Sequence, residues 1–400
     1  MRVLAMYQIN QRFTMSFDYP VCFTRGAFAP TNLALRNILS RAGEFRHKVQ
    51  PVIDGEVLRH HPGLPQQLLA YSKAHSDLME LVMPPLIVRG GEICKNDASE
   101  VDEFYQLSQD RSICRHSFAL VIGGGSVIDA IGFAAAITHR GVRLIRMPTT
   151  VLAQNDAGIG VKNAINYRNR KNYLGTFAPP FAVLNDFDFL RSLSSQDQRS
   201  GMAEAVKVAL IRDGVFFDWL HQQRHQLAVF EDDAVEYMIT RCAELHLHHI
   251  GNSGDPFEQG SARPLDFGHW VAHRLEELSH ADSLHATLRH GEAVAIGIAL
   301  DSCYSHAMGM LDEHCLTRIV ETLQDIGFNL YHPVLEQLNV HRALEDFREH
   351  LGGRLCITLL SGAGSAVEVN QIQLDVMQDC VEQLRGFCIE NMQGSYQRGI

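Results

Sequence analysis

From residue 49 onward, short apolar β-rich runs and helical segments take turns, and this alternation limits the fold more than any other feature. VQPVID (49–54) precedes the helical period of LPQQLLAYSKAHSDL (64–78), and LIVRGG (86–91) precedes a helix over about 99–109. FALVIGGG (118–125) leads into SVIDAIGFAAAIT (126–138), and RLIRMPT (143–149) closes the series. Parallel strands need crossover connections, so the pattern predicts a doubly wound parallel sheet clothed in helices. Ahead of it, residues 1–26 read as β-ribbon, with FTMSFDYPVCFT partly alternating and broken at Pro20. A helix is expected after Thr31-Asn32, ending near Gly43.

After about residue 190 the period becomes helical. SQDQRSGMAEAVKVALIRDGVFFDWL, AVEYMITRCAELHLHHI and HGEAVAIGIALDSCYSHAMG follow one another, and LCITLL with AVEV predicts a short hairpin before a last helix over about 373–390. Two domains are therefore expected, 1–190 and 191–400. A net charge of −11 speaks against a nucleic-acid partner but leaves room for an anionic substrate in a pocket lined by Lys and Arg. No run of 18 apolar residues predicts a membrane span, and the N-terminal run, broken by Gln8, Asn10 and Gln11, does not read as a secretory signal. Nine scattered cysteines without a CxxC pair read as buried apolar residues in a reducing compartment, so a cytoplasmic protein is expected.

Two stretches carry chemistry. Gly123, Gly124 and Gly125 follow the strand FALVI and open a helix, where backbone amides can approach a pyrophosphate. The third glycine of GxGxxG is replaced by Ile128, so the motif alone leaves a dinucleotide site and a plain strand-helix turn both open. In LDFGHWVAHRLEELSHADSLHATLRHGE (265–292), His269 and His273 lie four apart on one helical face, and His290 follows after a polar loop. With Glu204 of SGMAEAVKVALIRD these imidazoles supply what an open zinc site needs, although 21 histidines make chance pairs common.

Together AEAVK (203–207), LDFGHWVAH (265–273) and RHGEAVAIG (289–297) resemble the metal-binding half of the 3-dehydroquinate synthase family of sugar-phosphate cyclases, with matching segments from about residue 50 to 360. The resemblance implies an α/β protein: an N-terminal doubly wound sheet with a Rossmann-like NAD site, and a mainly α-helical C-terminal metal-binding domain. It implies that Glu204, His269 and His290 bind zinc, or cobalt in its place, with His273 beside the substrate. GGGSVID matches the family's GGGxxxD through Asp129, and Glu92 and Lys95 match its GExxK element. Thr149 and Thr150 match threonines beside the cofactor, and Asp54 matches the acidic residue at the adenosine ribose, which favours NAD over NADP.

On the substrate side, Asp156, Lys162, Lys171 and Asn172 fall in the family's acidic, basic, basic and amide pattern. Arg140 matches an arginine that reaches the phosphate of the neighbouring subunit's substrate, so a homodimer is implied. The family oxidises a ring hydroxyl with NAD, eliminates phosphate, returns the hydride and closes a carbocycle; Lys162, Lys207 and His273 would serve its charge and proton transfers. Counted back from FGH without gaps, the family's carboxylate-gripping lysine, arginine and asparagine fall on His248, Ala262 and Asp266, with Arg263 beside the missing arginine. The expected substrate is therefore an uncarboxylated phosphorylated ketose such as sedoheptulose 7-phosphate. Dehydroquinate synthesis itself, a metal-dependent polyol dehydrogenase and an inactive binding protein are the competing readings.

Overall fold

The structure, a computed structural model, describes residues 8–168, 170–252, 257 and 263–397. Its strands are β1 (Val21–Thr24), β2 (His47–Asp54), β3 (Met79–Leu81), β4 (Leu86–Val88), β5 (Phe118–Gly123), β6 (Arg143–Pro148), β7 (Lys162–Tyr167), β8 (Arg170–Phe177) and β9 (Ala182–Asp186), with β10 (Ile357–Gly362) and β11 (Ser365–Val369) near the end. A seven-stranded sheet runs β1-β9-β6-β5-β2, and β3 and β4 share the outer edge of β2. Every pairing in it is parallel. All six residues of β5 are buried, as expected of a strand covered on both faces.

The chain leaves β2 for the β3/β4 edge and then returns past β2 to β5. The winding reverses there, and Asp54 and Gly123 sit at the carboxyl ends of the two strands that flank the reversal. A crevice at that point is where open α/β sheets bind ligands.

Among the described residues, the β-ribbon expected over 1–26 is not formed. Residues 8–20 carry no strand, and residues 1–7 lie outside the described residues. Val21–Thr24 instead adds a parallel edge to β9, with Val21 opposite Val183. Pro20 has no N–H to give and contributes only its carbonyl, which accepts from Val183 N at 2.9 Å.

From Val151 to Leu384 one apolar core joins the helices Met202–Arg212, Gly214–Ala228, Asp232–Asn252, His269–Ala281, His290–Ala307 and Glu313–Ile326. Two contacts bring backbones together. A Cβ on Gly291 would lie 1.8 Å from Ser200 O, and one on Gly297 would lie 2.0 Å from Gly268 O, so neither position takes a side chain. The predicted terminal hairpin is present, and the last helix, Leu374–Gln397, outruns its expected end. Cys94, Cys242, Cys303, Cys315 and Cys380 are buried, but Cys114 is exposed. No helix among the described residues is long and apolar enough to cross a membrane.

Candidate active site

The Met202–Arg212 helix is buried along nearly its whole length, and it carries a glutamate and a lysine into the core. Glu204 is fully buried and forms an ion pair with Lys207, itself 2% exposed. Burial pushes the Glu204 carboxyl up, but Lys207 and then His269 and His290 hold it well below the usual carboxylate range. His269 Nε2 and His290 Nε2 each lie 3.5 Å from Glu204 Oε1. The three side chains offer ligand atoms within 4.8 Å of one another.

Both imidazoles are held from behind. His269 Nδ1 donates to Phe267 O at 3.1 Å, and His290 Nδ1 donates to Glu276 Oε1 at 2.5 Å. Each Nε2 is thereby turned toward Glu204, where a bound cation would take the place of its proton, the arrangement a metal-bound histidine requires. Burial opposes charge on His290, yet Glu204 and Glu276 outweigh it and lift its pKa to about 10. The donor set of one carboxylate and two imidazoles, in a pocket that favours positive charge, fits a divalent zinc-like cation.

The turn that delivers His269 is fixed by Asp301, fully buried one helix away. Its carboxylate accepts from Gly268 N at 3.0 Å and from Trp270 Nε1 at 2.8 Å. Gly268 has φ of +76°, a left-handed conformation that suits glycine. His273, one turn along, is exposed, with ring centroids 5.7 Å from His269 and 6.2 Å from His290.

Asp156 lies in a π-helical turn, Ala153–Ala157, and its Oδ1 is 3.0 Å from Nε2 of the buried His246. Burial raises the Asp156 carboxyl pKa, but His246 more than reverses this. Lys207 is drawn toward its charged form by Glu204, Asp156 and Asp266 against the opposing effect of burial. Asp266 ends the short turn Pro264–Asp266 and is half-buried. His248, reached by ungapped counting, is exposed on the outer face of its helix, and Ala262 lies outside the described residues. Arg263, half-buried, precedes the Asp266 turn.

The sheet side supplies the cofactor candidates. Gly124 caps the helix Gly125–Ile137 at the winding reversal, and Gly123 O accepts from Thr149 N at 3.0 Å. A Cβ on Gly124 would stand 3.4 Å from Thr150 Cγ2, and one on Gly90 would stand 2.4 Å from Asp54 Oδ1. Asp54 is 6% exposed, caps the following helix through Glu56 N at 2.9 Å, and has its pKa raised by burial. Lys95 Nζ donates to Asp129 Oδ2 at 2.9 Å and also to Asn172 Oδ1. Glu92 accepts from Ser126 Oγ at 3.3 Å and from Asn166 Nδ2 at 2.6 Å. The amides and the helix end at the crevice fit a dinucleotide pyrophosphate.

The antiparallel hairpin β7–β8 joins the two halves of the site. Asn172 touches Lys95 on the sheet side, whereas Lys171 Nζ donates to Glu276 Oε2 at 2.8 Å on the metal side. Glu92, Ser126, Lys171, Glu276 and His290 line one cleft of about 760 Å³. Lys162 opens β7 and is exposed. Arg146, fully buried, donates to the carbonyls of Gly158, Gly160 and Lys162 and so shapes the segment between Asp156 and Lys162. Arg140 is not brought to this cleft. It is exposed just before β6, at the amino edge of the sheet, about 20 Å from the crevice for six residues at about 3.3 Å each.

Missed from the sequence were Glu276, His246, Asp301 and Arg146. Glu276 was within reach of the helical period, since 269, 273 and 276 are one face. The other three owe their roles to long-range packing.

The 3-dehydroquinate synthase N-terminal family profile matches residues 85–200, and the C-terminal profile matches residues 201–349. The 3-dehydroquinate synthase of Xanthomonas oryzae pv. oryzae (strain PXO99A) is 33% identical over 353 residues, 86% of this chain and 91% of that protein. Among solved structures, ValA, a 2-epi-5-epi-valiolone synthase from Streptomyces hygroscopicus subsp. jinggangensis 5008 with NAD+ and Zn2+ bound, is similar with a TM-score of 0.81 and 28% identity, covering 95% of this chain and 99% of that one. A 2-deoxy-scyllo-inosose synthase complexed with carbaglucose-6-phosphate, NAD+ and Co2+ shares the fold, with a TM-score of 0.70 and 21% identity over 91% of this chain and 96% of that one. With both halves matched in order and a curated relative 33% identical over most of its length, the chain belongs to the 3-dehydroquinate synthase-like family of sugar-phosphate cyclases.

Proposed function

We propose that the protein is an NAD- and zinc-dependent sugar-phosphate cyclase, a phosphorus–oxygen lyase, that takes an uncarboxylated phosphorylated ketose, sedoheptulose 7-phosphate, to a valiolone-type cyclitol. The observation that carries the substrate choice is the cluster around Lys207. Asp156, Asp266 and Glu204 all bear on that ammonium, so a substrate carboxylate there would meet acidic groups, whereas hydroxyls would find acceptors. Residues 1–190 serve as the cofactor half and 191–400 as the metal half. The free, mostly buried cysteines suit the reducing cytoplasm.

Glu204, His269 and His290 would hold the metal, which when bound would supply Lewis acidity toward a substrate oxygen. Asp54, Glu92, Lys95, Gly123–Gly125, Asp129, Thr149 and Thr150 would hold NAD, which would supply reversible hydride chemistry there. Lys171 and Asn172 reach the substrate from the β7–β8 hairpin. Lys162 and Lys207 offset developing negative charge, and His273, whose ring lies beside both ligand histidines, moves protons. Arg140 stands at the far edge of its own sheet, which supports a homodimer in which it serves its neighbour's phosphate. Arg263 flanks the Asp266 turn as a further substrate contact.

Dehydroquinate synthesis is the second reading, favoured by the 33% identity to a curated synthase over 353 residues. The deciding experiment assays phosphate release from sedoheptulose 7-phosphate and from the carboxylated seven-carbon substrate side by side, with products identified by NMR and Asp266→Asn run in parallel. Faster turnover of the uncarboxylated sugar supports the proposal, with Asp266→Asn narrowing the gap. Faster turnover of the carboxylated sugar by the unmodified enzyme refutes it in favour of dehydroquinate synthesis.

A further inference from the structure

The cleft that holds Lys171 and His290 carries a second cation, which the chemistry above leaves without a task. Arg289, the residue before the metal ligand His290, lines this cleft together with Asp197, and the two side chains form an ion pair. Glu92 and Ser126 line the same cleft from the cofactor half.

The two cations are held differently. Lys171 is paired with Glu276, whose carboxylate is only 7% exposed and also engages His290 Nδ1, so it belongs to the frame of the metal site. The side chains of Arg289 and Asp197 are 37% and 43% exposed. An ion pair so open to water contributes little and exchanges readily. The backbone beneath Arg289 is fixed in contrast. Arg289 N donates to Glu292 Oε2 at 2.9 Å, Leu288 N donates to Ser279 Oγ at 3.1 Å, and Ala286 O accepts from His332 Nε2 at 3.0 Å. A guanidinium on an anchored stem, with a loosely held partner, can turn to another anion without moving the metal ligand beside it.

The other carboxylates of the cleft are engaged: Glu276 by Lys171 and His290, Glu292 by Arg289 N, and Glu92 by Asn166 and Ser126. Arginine's planar fork matches two phosphate oxygens at once, and a phosphate dianion brings more charge than one carboxylate. We propose that Arg289 is a phosphate-binding residue of this cleft, with Asp197 as the carboxylate that the ligand's phosphate displaces. This rests on the sugar-phosphate and NAD reading above for the presence of such a group. The sugar's phosphate and the dinucleotide's pyrophosphate offer the same chemistry.

The test is titration calorimetry on zinc-loaded wild-type, Arg289→Gln, Arg289→Lys and Asp197→Asn proteins, first with NAD and then with inorganic phosphate added to the NAD-saturated proteins. Zinc content and thermal midpoint are followed as folding controls. Arg289→Gln should weaken at least one of the two ligands by about tenfold or more, the loss expected for one charge-assisted bond. Arg289→Lys should recover part of that loss. Asp197→Asn should tighten the same ligand by about two- to fivefold, because the guanidinium no longer has a competing carboxylate. That gain should be absent from the Asp197→Asn, Arg289→Gln double variant. A purely structural ion pair gives no such opposition of sign, since breaking it from either side shifts affinity the same way. A response to NAD alone assigns Arg289 to the pyrophosphate, and a response to phosphate alone assigns it to the sugar's phosphate. Unchanged affinity for both ligands in Arg289→Gln, weakening in Asp197→Asn, or a gain that persists in the double variant overturns the proposal. If Arg289→Gln fails to fold or to hold zinc, wild-type affinities in both Arg289→Lys and Asp197→Asn overturn it instead. None of these measurements needs turnover, so a wild-type enzyme that releases no phosphate from phosphorylated sugars refutes the cyclase reading separately.

Discussion

Asp301 offers a test of the frame behind the metal ligands. Its carboxyl is fully buried, and burial outweighs the hydrogen bonds from Trp270 and Gly268 and pushes its pKa up to about 7. Unfolded, it would titrate near the ordinary value of 3.8. Because the folded pKa is the higher one, the folded state binds the proton more tightly. The stabilisation is complete below about pH 4 and is lost as pH rises through about 7. A shift of about three units at about 1.4 kcal/mol each gives a loss of about 4 kcal/mol across that window. Asp301→Asn cannot ionise but keeps an acceptor for one of the two donors. Its stability measured relative to wild type should therefore climb by about 4 kcal/mol between pH 4 and pH 8. Asp301→Ala leaves both Gly268 N and Trp270 Nε1 without an acceptor, at about 1–3 kcal/mol each, or about 2–6 kcal/mol in total. That is a large share of the about 5–15 kcal/mol that holds a typical protein folded. The assay is urea unfolding of chelator-stripped wild-type, Asn and Ala proteins at several pH values from 4 to 8. Subtracting wild type from each variant removes the many histidines common to all three. Parallel curves for wild type and Asp301→Asn would refute the reasoning.

Other outcomes follow from the same geometry. His269→Ala should lose most bound zinc and nearly all turnover with the fold retained, checked by metal analysis and circular dichroism; a fully loaded, active variant contradicts the ligand assignment. Glu276→Gln removes the carboxylate behind His290 and the partner of Lys171, and should weaken zinc affinity by about 10- to 100-fold in competition with a chelating dye. His273→Asn should slow turnover without emptying the metal site. Absorbance of reduced nicotinamide should stay flat while phosphate is released, and a stoichiometric rise would favour a polyol dehydrogenase.

Local periodicity made much of this legible. A fully apolar strand followed by glycines and a helix pointed to the crevice at Gly123, and the helical face of His269 carries one of the three side chains that gather with Glu204 and His290. Periodicity says nothing about which residues of different elements meet. His246 meets Asp156 across 90 positions of sequence, and nothing local distinguishes it from His248 except which side of the helix is covered. Asp301 lies in an apolar helical run whose pattern gives no reason for a carboxylate; only the donors at Gly268 and Trp270 explain it. The ribbon expected before Thr24 failed because alternation was weighed without asking which edge was free, and β9 had one.

The glycine contacts at Gly291 and Gly297 have a bearing on how such an enzyme can change. Where main chain abuts main chain, the spacing of His269, His290 and Glu204 is set by backbone, with no adjustable side chain between the supporting helices. The residues proposed to face the substrate come from elsewhere: Lys171 and Asn172 from an exposed hairpin, and Asp266 from a short turn. Replacements at those positions do not touch the backbone contacts at Gly291 and Gly297. A lineage built this way can trade one sugar for another through successive single substitutions, each made in a protein that still assembles its metal centre.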